Sequence, residues 1–490
     1  MRRVSTAAQV RALDQAVIEG LGLPGIALME SAAHAVADAI RDRHAGDAAR
    51  GVVVVCGAGN NGGDGYAIAR WLAAWDFPVA IRALKEDLSG DAATNRDVCV
   101  AMGIPHRDDL GEPGLIVDAV FGTGLSRAVE GRYRDALQAM EDHPAPVVAI
   151  DLPSGLHADT GAVMGVAIHA ATTVTFGRLK PGLLAEPGVD YAGEVIVADI
   201  GLEAVGGDAI AEVPDAGDLA PLWPHRDPGG HKTRSGHLLV VAGSAAMTGA
   251  AILACRGALA AGVGLCTLLA TRRMLPRLAA LPPEVMVIPS GEGDHTAPLP
   301  SGGLERYTAL AAGPGLGGGE ALDSALGGWL QHLWETSRLP AIYDADALSC
   351  TAGGSVAPRV LTPHPGEAGR LLDASAAAVQ ADRFGSAQRL ATDGKVALLK
   401  GRNTLVAAEG HPISVNPENT PVLATGGTGD VLTGVVGALL ARGVGARDTA
   451  RLAAWVHGHA GRLLEAQSPV GWTAGDVADV LPDAIADLLG

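Results

Sequence analysis

Two glycine-rich segments hold the residue types best suited to chemistry. GAGNNGGDG (residues 57–65) follows the apolar run GVVVVC, and ATGGTGDVLTG (residues 424–434) runs into an apolar helix. In the second segment Gly426, Gly427 and Gly429 precede Asp430. Backbone N–H groups of such a turn converge on one point, and the dipole of the following helix adds positive potential there. Phosphoryl transfer to a hydroxyl needs that combination: donors for the phosphate oxygens and a carboxylate to take the hydroxyl proton. The plainer reading is a glycine turn with Asp430 as helix cap. No GxxxxGK[ST] occurs, so this is not a P-loop enzyme.

The first segment satisfies GxGxxG after a strand and before a helix, which alone marks only a dinucleotide-type fold. The acidic residue expected at the end of the next strand is not clean, because the sequence there reads RALKEDL. Asn60, Asn61 and Asp64 are the informative additions, since the turn needed only glycine. They favour a site over turn chemistry alone. Later strands end in the same style. Asp118 closes LIVDAV ahead of FGTGLSR, and Asp151 closes VVAID ahead of LPSG, which supplies Ser154. Ligands bind at the carboxyl ends of strands in such sheets. Each Asp alone could cap a helix. Gathered together, hard oxygen donors suit a hard cation, and the absence of clustered Cys or His argues against zinc.

Further loops in the second half agree with a phosphate-handling site. LTPHPGE puts His364 and Glu367 at a strand end, and AAGPGLGG (residues 311–318) is a loop that lets backbone approach a ligand. KGRNT offers Lys400 and polar groups for a nucleotide. DADAL (residues 344–348) either carries magnesium through water or caps a helix.

These residues need a scaffold, and the periodicity supplies one. Helical spacing runs to about Ala39. Strands then read at 51–56, 79–83, 115–120, 146–151 and 172–176, with helices after residue 65 and near 91–102. The pattern dissolves into Gly, Pro and Asp between about Ile200 and His225. It restarts with strands at 237–242, 265–270, 308–312, 340–344, 360–362, 396–400 and 405–408, and with helices at 250–261, near 430 and near 449. The expected fold class is therefore α/β in two domains, residues 1–210 and 222–490, each with a largely parallel sheet.

Composition bounds the partners. The net charge of −18 disfavours nucleic acid, but local N–H dipoles still allow a small phosphorylated ligand. Five cysteines without a CxxC read as reduced, structural thiols. No apolar signal region follows the first arginines, and the uncharged stretch 235–255 is broken by Gly, Ser and Thr. A cytoplasmic chain without a membrane span is expected.

NNGGDG, VDAVFGTG and DLPSG, in this order and spacing, resemble the YjeF N-terminal domain of the NAD(P)H-hydrate epimerase family, over residues 1–205. The resemblance implies a Rossmann-like three-layer sandwich with a potassium ion held by Asn61, Asp118 and Ser154. It assigns substrate binding to Asn60, Asn61, Gly62, Gly63 and Asp64, to Gly122, Thr123, Gly124, Leu125, Ser126, Arg127 and Ala128, and to Asp151. Asp151 is the acid–base residue expected to open the hydrated nicotinamide ring. Lys180, in FGRLKPG, matches a family position of unassigned role.

HKTRSGHLLVVAGS, GPGLG, DADAL, LTPHPGE, KGRNT and ATGGTGDVLTG resemble, in order over residues 226–490, the NAD(P)H-hydrate dehydratase branch of the ribokinase-like superfamily. That resemblance implies substrate contacts at Gly249, Ala250, Gly315, His364 and Asp430, with Asp430 catalytic. It implies nucleotide contacts at Lys400, Gly401, Arg402, Asn403, Thr404 and Gly429. ADP with magnesium, and hydrated NADH and NADPH, are the expected ligands, and a homo-oligomer the expected assembly. NTPVL departs from the family pattern, in which a glycine is frequent. Two rivals remain at this level: a vitamin-type small-molecule kinase with an inert front domain, and a front domain that only senses dinucleotides or oligomerises.

Overall fold

The computed structural model describes residues 1–225, 235–299, 303–317, 322 and 324–490. They fall into two compact units, Arg2–Ala211 and Glu212–Gly490 with Met1.

The first unit holds six parallel strands in the order Val79–Ala83, Val52–Cys56, Leu115–Ala119, Val147–Ile150, Thr172–Phe176 and Glu194–Ala198. The valine run is buried on both faces. Val52, Val54 and Cys56 enter one apolar cluster, while Val53 and Val55 enter another. Period-two alternation in a sheet covered on both sides produces this. Helices Gly25–Arg43, Asn60–Ala74 and Gly90–Ala101 cover one face through residues such as Ile40, Ile68 and Cys99. Gly131–Glu141 covers the other through Leu137 and Met140.

The opening helical stretch is not one element. Helix Ala7–Gln15 continues as a π turn over Ala16–Gly20, and a new helix starts at Gly25. Pro24 separates them, since it lacks an N–H and holds the preceding residue out of helical geometry.

In the second unit the sheet runs Ile413–Val415, Leu405–Ala408, Lys395–Leu399, Arg359–Leu361, Ala341–Tyr343, Ala309–Ala312, His237–Val241, Leu265–Ala270 and Met286–Pro289. It is parallel except where Leu405–Ala408 pairs with its two neighbours. Leu238 and Val240 face a core shared with helices Thr248–Ala260, Thr428–Ala441, Ala446–Glu465 and Ala474–Leu489. Leu239 and Val241 face the opposite core, with Leu330 and Trp334 of helix Ser324–Thr336. The Gly/Pro/Asp-rich stretch before this unit is not featureless. Asp215 caps the short helix Ala216–Leu219, and Leu219 and Trp223 bury in the second unit's core.

All five cysteines are free and buried. Burial pushes the Cys99 thiol up to about 11 and raises Cys56 well above its ordinary value. Cys255, hydrogen-bonded to Cys266 and buried, is raised as well. No described helix is long and apolar enough to cross a membrane.

Helices Thr248–Ala260 and Thr428–Ala441 cross closely enough that only glycine fits. A Cβ at residue 434 would lie 2.0 Å from the Ala254 carbonyl oxygen, and one at residue 257 would lie 2.3 Å from that of Val431. Backbone cannot yield at such a contact as a flexible side chain can. We therefore expect Gly434→Ala to cost about 3 kcal/mol or more in urea denaturation and to weaken nucleotide affinity. A neutral substitution would show that the crossing adjusts freely.

Candidate active sites

In the first unit the glycine segment lies where the chain turns from one side of Val52–Cys56 to the other, the switch point at which such sheets bind ligands. The segment is less of a loop than its composition suggests. The helix begins at Asn60, so Asn60, Asn61, Gly62, Gly63 and Asp64 form its first turns. A Cβ at residue 62 would meet the Gly57 carbonyl oxygen at 2.2 Å. Glycine there lets the helix start directly on the strand end.

Four strand ends converge on this point. Asp118, fully buried, accepts bonds from the Ser154 amide at 2.7 Å and the Ser154 hydroxyl at 2.6 Å. No cation pairs with it among the described residues, and burial pushes its carboxyl up to about 6 against those bonds. Asp151 follows its strand with φ +66°, a left-handed conformation that costs energy in a non-glycine residue and clusters at functional sites. Gly122 fronts Asn61 and Asp151. A Cβ there would lie 3.1 Å from Asn61 Oδ1 and 3.3 Å from Asp151 Oδ2. The Asn61 amide nitrogen is buried without a partner among the described residues.

Lys180 acquires a position. Fully buried, its ammonium bonds Asp151 Oδ1, Thr175 Oγ1 at 2.9 Å and the Phe176 carbonyl at 3.0 Å. Asp64 and Asp14 complete the cluster. Burial, with Asp151 and Asp14 nearby, raises Asp64 well above the usual carboxylate range. Burial pushes Asp14 up to about 6, Lys180 pulling against it. Asp14 was missed from the sequence; the available signal was a carboxylate inside the apolar stripe Val10, Leu13, Val17. Within residues 122–128, Leu125 packs into the core, whereas Gly124, Ser126, Arg127 and Ala128 are exposed. Gly63 faces the Met29 side chain.

The second unit assembles its site from strand ends and two helix starts. Asp344 accepts from Lys400 Nζ at 2.9 Å and from the Thr433 hydroxyl at 2.7 Å, so both its oxygens are engaged. Asp346 accepts from the Gly317 amide. Among the described residues no three His, Cys, Asp or Glu side chains group to hold a metal ion. Burial lowers the Lys400 ammonium, but Asp344 and Glu367 outweigh it and leave the group above its ordinary value. Lys400 Nζ lies 3.7 Å from where a Cβ on Gly429 would stand, so strand end and glycine turn meet. Gly427 takes φ +95° and precedes helix Thr428–Ala441, whose cap is Gly427, not Asp430. The Asp430 side chain has no hydrogen-bond or ion-pair partner among the described residues. Burial and Asp344 push its carboxyl up to about 6, with Lys400 opposing. Gly315 faces Ala250, where a Cβ would come to 2.8 Å of the Ala250 Cβ.

A cavity of about 540 Å³ opens beside this turn, lined by Lys400, Gly401, Arg402, Thr404 and Gly429 among others. Asn403 turns away into a paired contact with Asn419. His364 caps its own helix, its Nδ1 accepting from the Gly366 amide at 3.0 Å. His457, also unread from the sequence, lines the cavity. Burial holds it down to about 4, so it is neutral, and its Nε2 meets the Thr428 carbonyl at 2.9 Å. Of the glycine- and basic-rich motifs, His231–Arg234 and Gly318 lie outside the described residues.

Comparison with known proteins falls on both units. The NAD(P)H-hydrate dehydratase family matches residues 238–483, and the YjeF-related N-terminal family matches residues 25–182. The "Bifunctional NAD(P)H-hydrate repair enzyme Nnr" of Moorella thermoacetica is 37% identical over 99% of this chain and 96% of its own length. The Escherichia coli protein of the same name is 36% identical over 94% of this chain and 89% of its own. A crystal structure of the ADP/ATP-dependent NAD(P)H-hydrate dehydratase from Bacillus subtilis, co-crystallised with ATP and Mg2+, is also similar. It superposes with a TM-score of 0.50 at 30% identity, over 56% of this chain and 97% of that one. With near full-length relatives above a third identity and both halves matched, the chain belongs to the family of bifunctional NAD(P)H-hydrate repair enzymes.

Proposed function

We propose that this chain recovers hydrated NADH and NADPH, the first unit interconverting the R and S hydrates and the second dehydrating the S form at the expense of ADP. The observation that carries the reading is Asp430: a half-buried carboxylate, unpartnered among the described residues, in the first turn of a helix whose glycine start faces the Lys400 cavity.

In the second unit Asp430 accepts the C6 hydroxyl proton as that oxygen attacks the terminal phosphorus of ADP. AMP leaves, and C6 now carries a phosphate. The ring nitrogen's electron pair expels inorganic phosphate, and loss of a C5 proton restores the dihydronicotinamide ring. Glycine amides at 426–429 and Lys400 stabilise the transferring group. Lys400–Thr404 and Gly429 hold the nucleotide, while Gly249, Ala250, Gly315 and His364 meet the hydrate. Asp344 and Asp346 are engaged by protein groups, and magnesium bound with the nucleotide would supply charge neutralisation on its phosphates.

In the first unit Asp151 takes the C6 hydroxyl proton while the N1–C6 bond breaks, the bonding pair passing to N1 and its conjugated carboxamide and C6 becoming an aldehyde; Asp151 returns the proton to that oxygen as N1 attacks the aldehyde's other face. Lys180 pairs directly with Asp151 and fixes its oxygens. Asn61, Asp118 and Ser154 suit potassium, because Asp118 is a fully buried carboxylate lacking a cation and the other donors are neutral oxygens. A bound cation there supplies charge compensation. A vitamin-type kinase with an inert front domain is not favoured, as it gives the Asp151–Lys180 pair nothing to do. The assembly is taken to be cytoplasmic and homo-oligomeric.

Three tests follow from these roles. Asp430→Asn keeps the helix and nucleotide affinity but lowers dehydration by about 10² to 10⁴. Since the base must be ionised, the wild-type rate should fall as pH drops through about 6; a flat profile with an active variant moves the base elsewhere. Potassium, compared with tetramethylammonium, should raise both epimerisation and the melting temperature of the full chain, and neither effect should survive Asp118→Asn. Lys180→Met should cost about 3–5 kcal/mol near pH 8 by leaving buried carboxylate uncompensated. Asp14, pushed up to about 6, protonates over this range and relieves the cluster, so the loss should shrink toward pH 5; a pH-independent loss would assign Lys180 to packing.

A further inference from the structure

The first unit holds a cavity of its own, of about 430 Å³, that none of these roles uses. Its lining includes Tyr66 from helix Asn60–Ala74, Ala83 at the end of its strand, Glu86 just beyond, Arg96 of helix Gly90–Ala101, and His106 and Arg107. Tyr66 is 0% exposed, yet its hydroxyl has no hydrogen-bond partner among the described residues. Buried tyrosine hydroxyls ordinarily find one, so an orphan in a cavity wall calls for a ligand. Arg96 and Glu86 are the charged side chains that act on it.

Topology says which ligand reaches this place. Asp151, assigned to the reacting ring, and its neighbour Ser154 lie in the loop after Val147–Ile150, and Asp118, which Ser154 bonds, lies in Leu115–Ala119. Val79–Ala83 lies on the other side of Val52–Cys56. A dinucleotide across the switch point, with its pyrophosphate at the helix start near Asn60, must send its remote half to the Val79–Ala83 side. The strands Val147–Ile150 and Val79–Ala83 are three places apart in the sheet, about 14 Å at the usual strand spacing. The lining carries both signs of charge. Glu86 suits a ribose diol, and two guanidiniums suit a phosphate. Among the described residues Arg107 pairs with exposed Asp109 at 3.3 Å and Arg96 with exposed Asp97 at 2.7 Å, surface pairs that exchange readily.

We propose that this cavity receives the adenosine ribose of hydrated NADH and NADPH, with Tyr66 and Glu86 on the ribose hydroxyls and Arg96 and Arg107 on the 2′-phosphate of the NADPH form. The assignment rests on the epimerase reading above and extends it to the substrate's remote end.

The test is epimerisation by the full chain without ADP, for both hydrates and for hydrated reduced nicotinamide mononucleotide, which lacks adenosine. Tyr66→Phe removes a hydroxyl without a protein partner, so the melting temperature should hold or rise. KM should increase about five- to tenfold for both dinucleotides, with kcat unchanged. Arg107→Gln should raise KM about tenfold for the NADPH hydrate alone. Neither variant should affect the mononucleotide. Wild-type KM values in both folded variants, or equal losses on the mononucleotide, overturn the pocket while leaving the epimerase reading intact. A wild-type chain that epimerises none of the three overturns that reading instead. The pocket is then judged by calorimetry with adenosine 2′,5′-bisphosphate and ADP saturating the second unit, where binding weakened by Arg107→Gln supports it and unchanged binding refutes it.

Discussion

The Ala254 carbonyl lies 2.0 Å from where a Cβ on residue 434 would stand, and the Val431 carbonyl 2.3 Å from one on residue 257. Two helices thus touch backbone to backbone, midway along Thr248–Ala260 and in the first half of Thr428–Ala441. That contact fixes how closely helix Thr428–Ala441 seats, and with it the place of its start, Thr428–Asp430, whose free amides can address a phosphate. The first unit uses the same device at smaller scale, with Gly62 against the Gly57 carbonyl. Side chains then only decorate positions that the main chain has already brought together. This explains why glycine is so abundant in a chain with few aromatics.

A shared electrostatic arrangement follows. Each site places one buried or half-buried ammonium among several carboxylates: Lys180 with Asp151, Asp64 and Asp14, and Lys400 with Asp344, Glu367 and Asp430. One cation cannot compensate three anions in a low-dielectric crevice, so some carboxyls remain easily protonated. Asp430 and Asp14 are both pushed to about 6, near where a group exchanges protons at neutral pH. The Lys-bound member of each set instead stays fixed by direct hydrogen bonds.

Much of this was legible in the sequence, for identifiable reasons. Strands such as Val52–Cys56 announce themselves because burial on both faces requires an unbroken apolar run. The glycine segments announce helix starts, and Asp118, Asp151 and Asp430 fall where such sheets bind ligands. The edge strand Glu194–Ala198 was not read, since it is only partly buried and lacks a clean pattern. Lys180 and Thr433 acquire roles only in three dimensions, because their partners lie 29 and 89 residues away. His457 looks like any helical histidine until burial and the Thr428 carbonyl fix its neutral form. His364 suggested a ligand contact; its Nδ1 accepts from the amides of its own helix, while the ring stays exposed.

The five buried thiols carry a consequence for the chemistry the chain withstands. Sulfur reacts with peroxide, disulfides and alkylating agents through the thiolate. Burial that raises Cys56, Cys99 and Cys255 leaves almost none of that form at neutral pH, and no described cysteine stands at the surface to start an exchange. Both sites are built from carboxylates, amines, amides and hydroxyls, which such oxidants leave alone. The catalyst that restores a reductant is therefore made from parts that do not consume it, and its activity is uncoupled from the redox state of its surroundings.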